Sequence, residues 1–519
     1  MTPGEEYGIL GFATTTRSQT TAERSHLLSL MVRTWAQRAK FTDVLALEAL
    51  EQVLPQALIT AAAAEADCPT RRRRKLPADV TVLLCVAMSL FTHEALEVVL
   101  AKMAHGLRLF WPDPDIALAN KSAISQARYR LGARPVVALF HRLCQPLATP
   151  RTPGAFFCGL RLVALDGTTE DVPDSPANVR VFGRHHSDRG ASAFPQAQGV
   201  YLSECGTHAL LDAGFWPCHT SERVGAFRLL RSVCAGMLLL LDRGFYSFEM
   251  IERTLARGAQ VLGRVPAGVT LTPRQLLPDG SYWAYIYPAD KERRKRGDHL
   301  LVRVVVYTLT DPARPGYGET HRLVTTLLDA QEAPALDLIC AYHMRWEIEL
   351  TIDEIDTHQR LVQHPLRSLK PVGVIQELYS LLLAHYAVRA IMAEAATQAG
   401  LAPTRLSFAQ AVELIRVALD DFHLVAPVHH PRLYARLLRA IAACRLPERA
   451  ARTNPRVVKR KMSNFKLKRG SPASASQHLD AFASAIHILP QDLPAQQTLD
   501  RPQPGELAVG LPWLAPTLI

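Results

Sequence analysis

The stretch LDLICAYHMRWEIELTIDEIDTHQ, Leu336–Gln359, decides how the rest of the chain is read. It follows Pro334 and contains no Gly or Pro, so it predicts one long helix. At about 100° per residue, Ala341, Met344, Ile348, Ile352 and Ile355 form a core-facing stripe. Tyr342, Arg345, Glu349, Asp353 and Asp356 gather beside it, within roughly a quarter of the circumference. A charged flank of this kind is either a solvated face laced with ion pairs or the lining of a site.

Upstream, two very apolar runs end alike. RLVALD (Arg161–Asp166) and MLLLLDRG (Met237–Gly244) each close on an Asp with a Gly within two residues. Taken singly, Asp166-Gly and Asp242-Arg-Gly are ordinary turn residues. As neighbouring strand ends they would bring two carboxylates to the sheet edge where αβ proteins place their sites. Two such groups repel unless a cation lies between them, and Mg²⁺ favours oxygen ligands. Glu349 on the long helix could supply a third carboxylate. Two cations about 3.5–4 Å apart would then clamp the attacking and leaving oxygens of a phosphodiester displacement.

Around these runs the chain alternates elements. QAQGVYLSE and THALLDAGFW are expected strands joined at Cys205-Gly206, and SERVGAFRLLRSV a helix opened by Ser221. SFEMIERTLARG is a helix stopped by Gly258, and AQVLGRV a further strand. Residues 151–265 therefore form the first part of an α/β core, and 334–399 its second part with the Glu-bearing helix. The β-rich block between them (266–333) contains SYWAYIYP, HLLVRVVVYTLT and HRLVTTLLD, with the basic loop DKERRKRGD. It is an insertion into that core. Residues 25–150 carry helical periodicity and follow a loose N-terminus (1–24). Helices are expected over Val372–Ala399, closing the second part of the core, and over Ser407–Cys444; residues 400–490 are helical and basic, and 491–519 form a Pro- and Gln-rich tail.

The chain has 519 residues and a net charge of +11, with a pI near 9.3, which suggests a nucleic-acid partner. Candidate phosphate contacts are Arg71, Arg72, Arg73, Arg74 and Lys75; Arg294, Lys295 and Arg296 in the insertion; and Lys459, Arg460 and Lys461 near the C-terminus. Arg128 lies in KSAISQARYRLG, which reads as a capped helix able to approach DNA. The nine cysteines include no CxxC pair, as expected of reduced thiols in a cytoplasm rather than a disulfide or zinc framework. His185 and His186 lack a suitably spaced third ligand, and Ser125 lacks the Gly-flanked elbow of a hydrolase. No secretion signal or apolar run of about 20 residues appears, so no membrane role is expected.

The order Asp–Asp–Glu, LDRGFYS around Asp242 and Tyr342-x2-Arg345-x3-Glu349 resemble a bacterial DDE transposase of the insertion-sequence-four family. KLPADV, SAISQARYRLG, ALDGTT, AFPQAQGVYLSECGTHALLDA and THQRLVQHPLRSLKPVGVIQELYSLLLAHYAVRAIM extend the resemblance over roughly residues 25–470. It implies an α/β fold with a ribonuclease H-like mixed-sheet core, interrupted by a β-strand insertion and flanked by helical domains. It also implies Asp166, Asp242 and Glu349 as catalytic ligands of two Mg²⁺ ions, for which Mn²⁺ can substitute. Tyr342 and Arg345 would grip phosphate, and Trp346 would stack on a flipped base or pack at the core rim. The implied partners are transposon terminal repeats and target DNA, held by a homodimer at the bacterial nucleoid. One departure stands out: where the family carries Lys seven residues after the Glu, this chain has Asp356. That places negative charge where a phosphate-gripping cation is expected and predicts weakened or lost activity. A non-catalytic DNA-binding copy, or inhibitor of transposition, is therefore the second reading.

Overall fold

A computed structural model describes residues 54–65, 76–103, 119–187, 190–312, 317–360, 365–425, 427–447 and 482–493. The candidates Arg71, Arg72, Arg73, Arg74, Lys75, Lys459, Arg460 and Lys461, the N-terminal residues 1–24 and the tail beyond 493 lie outside the described residues.

The core is a sheet whose first three strands form an antiparallel meander: β1 (Leu160–Asp171), β2 (Gln196–Glu204) and β3 (Leu210–Pro217). On the other side of β1 lie β4 (Met237–Leu241) and then β5 (Gln260–Arg264), both parallel to it. The run MLLLL is buried along its whole length, as a strand covered on both faces must be. The strands β6 (Gln275–Leu276), β7 (Tyr282–Ile286), β8 (Leu300–Leu309) and β9 (His321–Thr325) come from the interrupting block. They extend the same sheet, because β9 pairs antiparallel with β5, giving the order β3-β2-β1-β4-β5-β9-β8-β7-β6.

Two corrections to the sequence reading concern the site. First, β1 does not stop at Asp166-Gly167. The polar continuation DGTTED remains strand because it stays paired with β2 as far as Asp171 opposite Gln196. Second, Leu336–Gln359 is not one regular helix. It comprises α10 (Ala335–His343), α11 (Trp346–Asp353) and a wider-wound turn over Glu354–Gln359. At the junction the amides of Met344, Arg345, Glu347 and Ile348 each donate three residues back, to Ala341, Tyr342, Met344 and Arg345. This tighter winding rotates the downstream turns away from a uniform 100° spacing.

Helices cover both faces. On one side are α7 (Glu222–Leu229) and α8 (Phe248–Leu255), packed on Val163, Leu165, Leu239 and Leu241. On the other are α10, α11 and the 29-residue α12 (Pro371–Ala399), which meet Leu162, Ala164, Leu238 and Leu240. Odd and even positions of β1 thus face different layers, as the strand period requires. Around α12 gather α1 (Gln56–Glu65), α2 (Ala78–Leu90), α3 (Leu96–Met103), α4 (Lys121–Leu131) and α5 (Arg134–Leu143). The helical run after α12 is split into α13 (Phe408–Leu424) and α14 (His430–Ala443) rather than continuous to Cys444. The short α6 (Pro176–Phe182) comes after β1, and α9 (Lys291–Lys295) replaces the expected loop between β7 and β8.

Two clamps fix the start of the Glu-bearing segment. Arg303 on β8, 0% exposed, donates to Ser281 Oγ (2.8 Å), to the Asp329 and Ala333 carbonyls (3.0 and 2.6 Å) and to Asp279. Asp279 in turn accepts from the Ala335 amide at 2.8 Å, so the insertion holds the first turn of α10. From the far end of the chain, β10 (Ile486–Ile488) pairs with β8 opposite Leu309–Tyr307. The buried Phe482 ring stacks on His343 of α10, with centroids 4.1 Å apart at 24°.

Candidate active site

The pairing of β1 with β4 runs from Arg161 opposite Met237 to Ala164 opposite Leu240. Two residues further along each strand come Asp166 and Asp242, so the parallel register brings them side by side at one edge. Each carboxylate is pinned locally: the Gly167 amide donates to Asp166 Oδ1 at 2.8 Å, and the Gly244 amide donates to Asp242 Oδ1.

Across from them lies α11. Arg345, at the tight junction, reaches Asp166 Oδ2 at 3.6 Å through Nη1 and Glu349 Oε1 at 2.6 Å through Nη2. One guanidinium therefore spans the strand acid and the helix acid. Burial pushes the Asp166 carboxyl up to about 7; Arg345 and the Gly167 amide pull it down, while Glu349 and Asp242 push it further up. That both acids act on Asp166 shows the three charges to be neighbours. Tyr342 is buried with its hydroxyl pushed up to about 12, by burial first and by the charge of Asp242, against the pull of Arg345 and Arg264. Trp346 is half-buried.

Beyond Glu349 the segment tracks β1 in register. Thr168 Oγ1 donates to Asp356 Oδ2 at 3.3 Å, and Arg360 donates to Glu170 Oε2 at 2.7 Å. From Asp166 to Glu170 the strand rises about 13 Å, and from Glu349 to Arg360 a helix rises about 16 Å, so the pairing is geometrically consistent. Asp356 is partly buried, and its carboxyl is pushed up to about 9 by burial and by Glu170, against Arg360 and Thr168. Its surroundings therefore favour holding a proton between Asp356 and Glu170.

A second network, which sequence reasoning missed, anchors α11 from below. Glu354, buried, accepts from Arg389 Nε at 2.9 Å, from Arg389 Nη2, and meets His208 Nδ1 at 3.0 Å and His385 Nε2 at 3.1 Å. His208 also meets Glu347 Oε2 at 2.6 Å and adopts φ 59 to do so. Glu347 and Glu354 bracket Glu349, so the helix is tied on both sides of it. No local signal marks these residues, since the partners come from three separate parts of the chain.

The remaining candidates take other places. Arg128 does not face a DNA surface. It is 6% exposed and donates to Glu377 Oε1 and Ser368 Oγ, both at 3.1 Å, joining α4 to α12. Arg294, Lys295 and Arg296 are exposed around α9; Arg294 donates to the Pro288 carbonyl (3.0 Å) and Lys295 to Glu292 (2.8 Å). Glu204 and Asp212 are 0% exposed ion-pair partners of Arg161 and Arg231. A further acid, Glu222, lies beside Gly167, next to Asp166 in the middle of β1, and was not singled out in the sequence.

Residues 44–141 match the Insertion element 4 transposase N-terminal model, and residues 158–386 match the Transposase DDE domain. Transposase InsG for insertion sequence element IS4, from Escherichia coli (strain K12), is 30% identical over 419 residues. That match spans 80% of this chain and 92% of that protein. The chain belongs to the insertion element 4 family of DDE transposases. A solved piggyBac transposase synaptic complex with hairpin DNA is 12% identical, covering 78% of this chain and 87% of that one at TM-score 0.39. Among the described residues this transposase has no helix long and apolar enough to cross a membrane.

DDE domains use divalent metal ions, and the donor chemistry here suits them. Asp166, Asp242 and Glu349 offer hard oxygen ligands whose repulsion calls for a cation, and the Arg345 guanidinium already lies between two of them. Among the described residues no group of three or more His, Cys, Asp or Glu side chains is arranged, as the chain stands, to hold a metal ion.

Proposed function

We propose that this transposase cuts DNA at transposon ends and joins the freed 3′-hydroxyl to target DNA at the edge where Asp166 and Asp242 meet α11. The observation that carries the reading is the register-matched pair of strand acids facing Glu349 through one guanidinium. Asp166, Asp242 and Glu349 would hold two Mg²⁺ ions, which supply Lewis-acid activation of the attacking oxygen and charge relief at the phosphate. Arg345, freed from its two carboxylates, would present a forked donor to a backbone phosphate. Tyr342, its hydroxyl held protonated, would donate rather than repel there. Trp346, half-buried, would either stack on an unpaired base or close the rim of the core. The exposed Arg294, Lys295 and Arg296, with Arg71 to Lys75 and Lys459 to Lys461, would contact the DNA backbone. A homodimer holding two ends would be the working assembly.

Asp356 weakens this activity in our reading, because it stands where a phosphate-gripping cation is expected. The test uses DNA carrying the element's ends with Mg²⁺ or Mn²⁺. Specific nicking that disappears in Asp166→Ala supports the reading, and Asp356→Lys should increase it. Salt-sensitive binding with no cleavage by any variant would sink it in favour of a DNA-binding copy.

A further inference from the structure

The rotation of α11 about its own axis is not inherited from its neighbours. Upstream the tight turn at Met344–Arg345 separates it from α10, and downstream it passes into the wider winding of Glu354–Gln359. Between these two changes of pitch lie only eight residues. Burial of Ile348 and Thr351, both 0% exposed, fixes how closely α11 lies on the sheet. Apolar contact is non-directional, however, so a polar contact is needed to set which way Glu349 points.

One residue of the turn between β2 and β3 grips the far face of the helix. At about 100° per residue, Glu347 lies about 160° around the axis from Glu349. His208, 0% exposed, donates from Nε2 to Glu347 Oε2 at 2.6 Å, since a carboxylate only accepts. Its Nδ1 lies 3.0 Å from Glu354 Oε1, beside the Arg389 guanidinium. The ring reaches both acids from a backbone at φ 59, a region that Gly or Asn enters more readily. The turn holds it there: the His208 amide donates to the Glu204 carbonyl at 2.9 Å, and the Ala209 amide to Thr207 Oγ1 at 3.2 Å. Such conformations persist where the surroundings over-determine them, and they cluster at functional sites.

Neutralising Glu354 does not account for the arrangement, because Arg389 and His385 already serve that carboxylate. The link to Glu347 lies outside that cluster and bears on the helix that carries Glu349. Side-chain tips lie about 5–6 Å from a helix axis, so turning α11 by about 10° would carry the Glu349 carboxylate about 1 Å. A misplacement of about 1 Å can cost about a hundredfold in rate.

We infer that His208 is a positioning residue: its grip on Glu347 sets the rotation of α11, and with it the aim of Glu349 at Asp166 and Asp242. The inference rests on the proposed function above, which places Glu349 in the reacting centre.

The experiment follows nicking of DNA carrying the element's ends by the full chain with Mg²⁺, alongside urea unfolding, for His208→Gln, His208→Asn and His208→Ala. Gln carries its amide nitrogen as many bonds from Cα as Nε2, so it can still donate to Glu347. Asn carries its own as far as Nδ1 and serves only the Glu354 side. His208→Gln should keep kcat near the parent, while His208→Asn and His208→Ala lower it about a hundredfold with KM for the end DNA unchanged. Stability should follow another order, because His208→Asn keeps the Glu354 contact and His208→Gln gives it up. Glu347→Leu cuts the same link without altering the turn, and covers the case in which the His208 variants do not fold. It should lower kcat to the level of His208→Ala, and combining the two should cost no more than either alone. Rates that track the urea midpoints through the series, or a parental kcat in Glu347→Leu, would overturn the inference and leave the proposed function standing. Absence of nicking by the parent, or nicking that survives Asp166→Ala, would overturn both.

Discussion

Replacing Arg389 by Met tests whether the buried network beneath α11 holds the fold together. Arg389 is 1% exposed on its side chain and gives Glu354 two donors, while its guanidinium lies 5.5 Å from the Phe408 ring centroid. Met preserves most of the volume, so the variant isolates the lost charge rather than a cavity. Glu354 would keep His208 and His385. In the parent His385 is held down at about 4 chiefly by burial, with Arg389 lowering it further, and losing Arg389 relieves only that lesser effect, so His385 is a poor replacement for the guanidinium. Stripping one partner from a buried ion pair costs about 3–5 kcal/mol, and the two remaining imidazoles argue for the lower end, about 3 kcal/mol. Urea unfolding followed by tryptophan fluorescence should show this as a fall in midpoint. The double variant Arg389→Met/Glu354→Leu should recover most of the loss, because neither charge is then left alone. The exposed Lys295→Met serves as control. An Arg389→Met protein within about 0.5 kcal/mol of the parent would refute the reasoning, since that is the range of ordinary surface changes.

Three shorter predictions concern other groups. Arg345→Gln removes the guanidinium between Asp166 and Glu349, so Mn²⁺ should bind more tightly while end cleavage falls; a rise in both, measured by titration and gel assay, would contradict the role assigned to it. The Asp356 carboxyl is raised from 3.8 to about 9, so the folded chain retains a proton that the unfolded chain releases, and stability from this group drains away as pH rises from about 4 towards 9. Asp356→Asn, which keeps a donor for Glu170, should melt several degrees higher than the parent at pH 8 and similarly at pH 4; equal melting at both pH values would count against it. His385 is lowered from 6.5 to about 4, so its contribution is present above 6.5 and lost as pH falls towards 4. His385→Gln, still able to donate to Glu354, should flatten the parent's decline in melting temperature over that interval.

How much of this was legible in the sequence depended on how far apart the partners lie. The strand-forming runs ending at Asp166 and Asp242, and their αβ setting, could be read because hydrophobic runs bounded by turn residues are local signals. The motif around Glu349 carried the family resemblance. The break at Met344–Arg345 left no trace, since nothing in its composition disfavours a regular helix; tertiary packing tightens it. Continuation of β1 through DGTTED was hidden because polar residues can remain in a strand when a neighbour supplies the pairing. Arg128 looked available for DNA because its partner Glu377 is far away in sequence. Glu222 reads as an acid opening a capped helix, and only the structure shows its side chain lying beside Gly167.

The return of the chain to its own middle, through Phe482 and β10, has a bearing on synthesis. The side of α10 that receives the Phe482 ring is left uncovered until translation has passed that point, so a polypeptide released early carries every acidic residue of the site on an unfinished scaffold. Chains ended by a frameshift or early stop upstream of residue 482 should therefore unfold at lower urea concentration than the full protein, which a urea titration of such a truncated chain would measure.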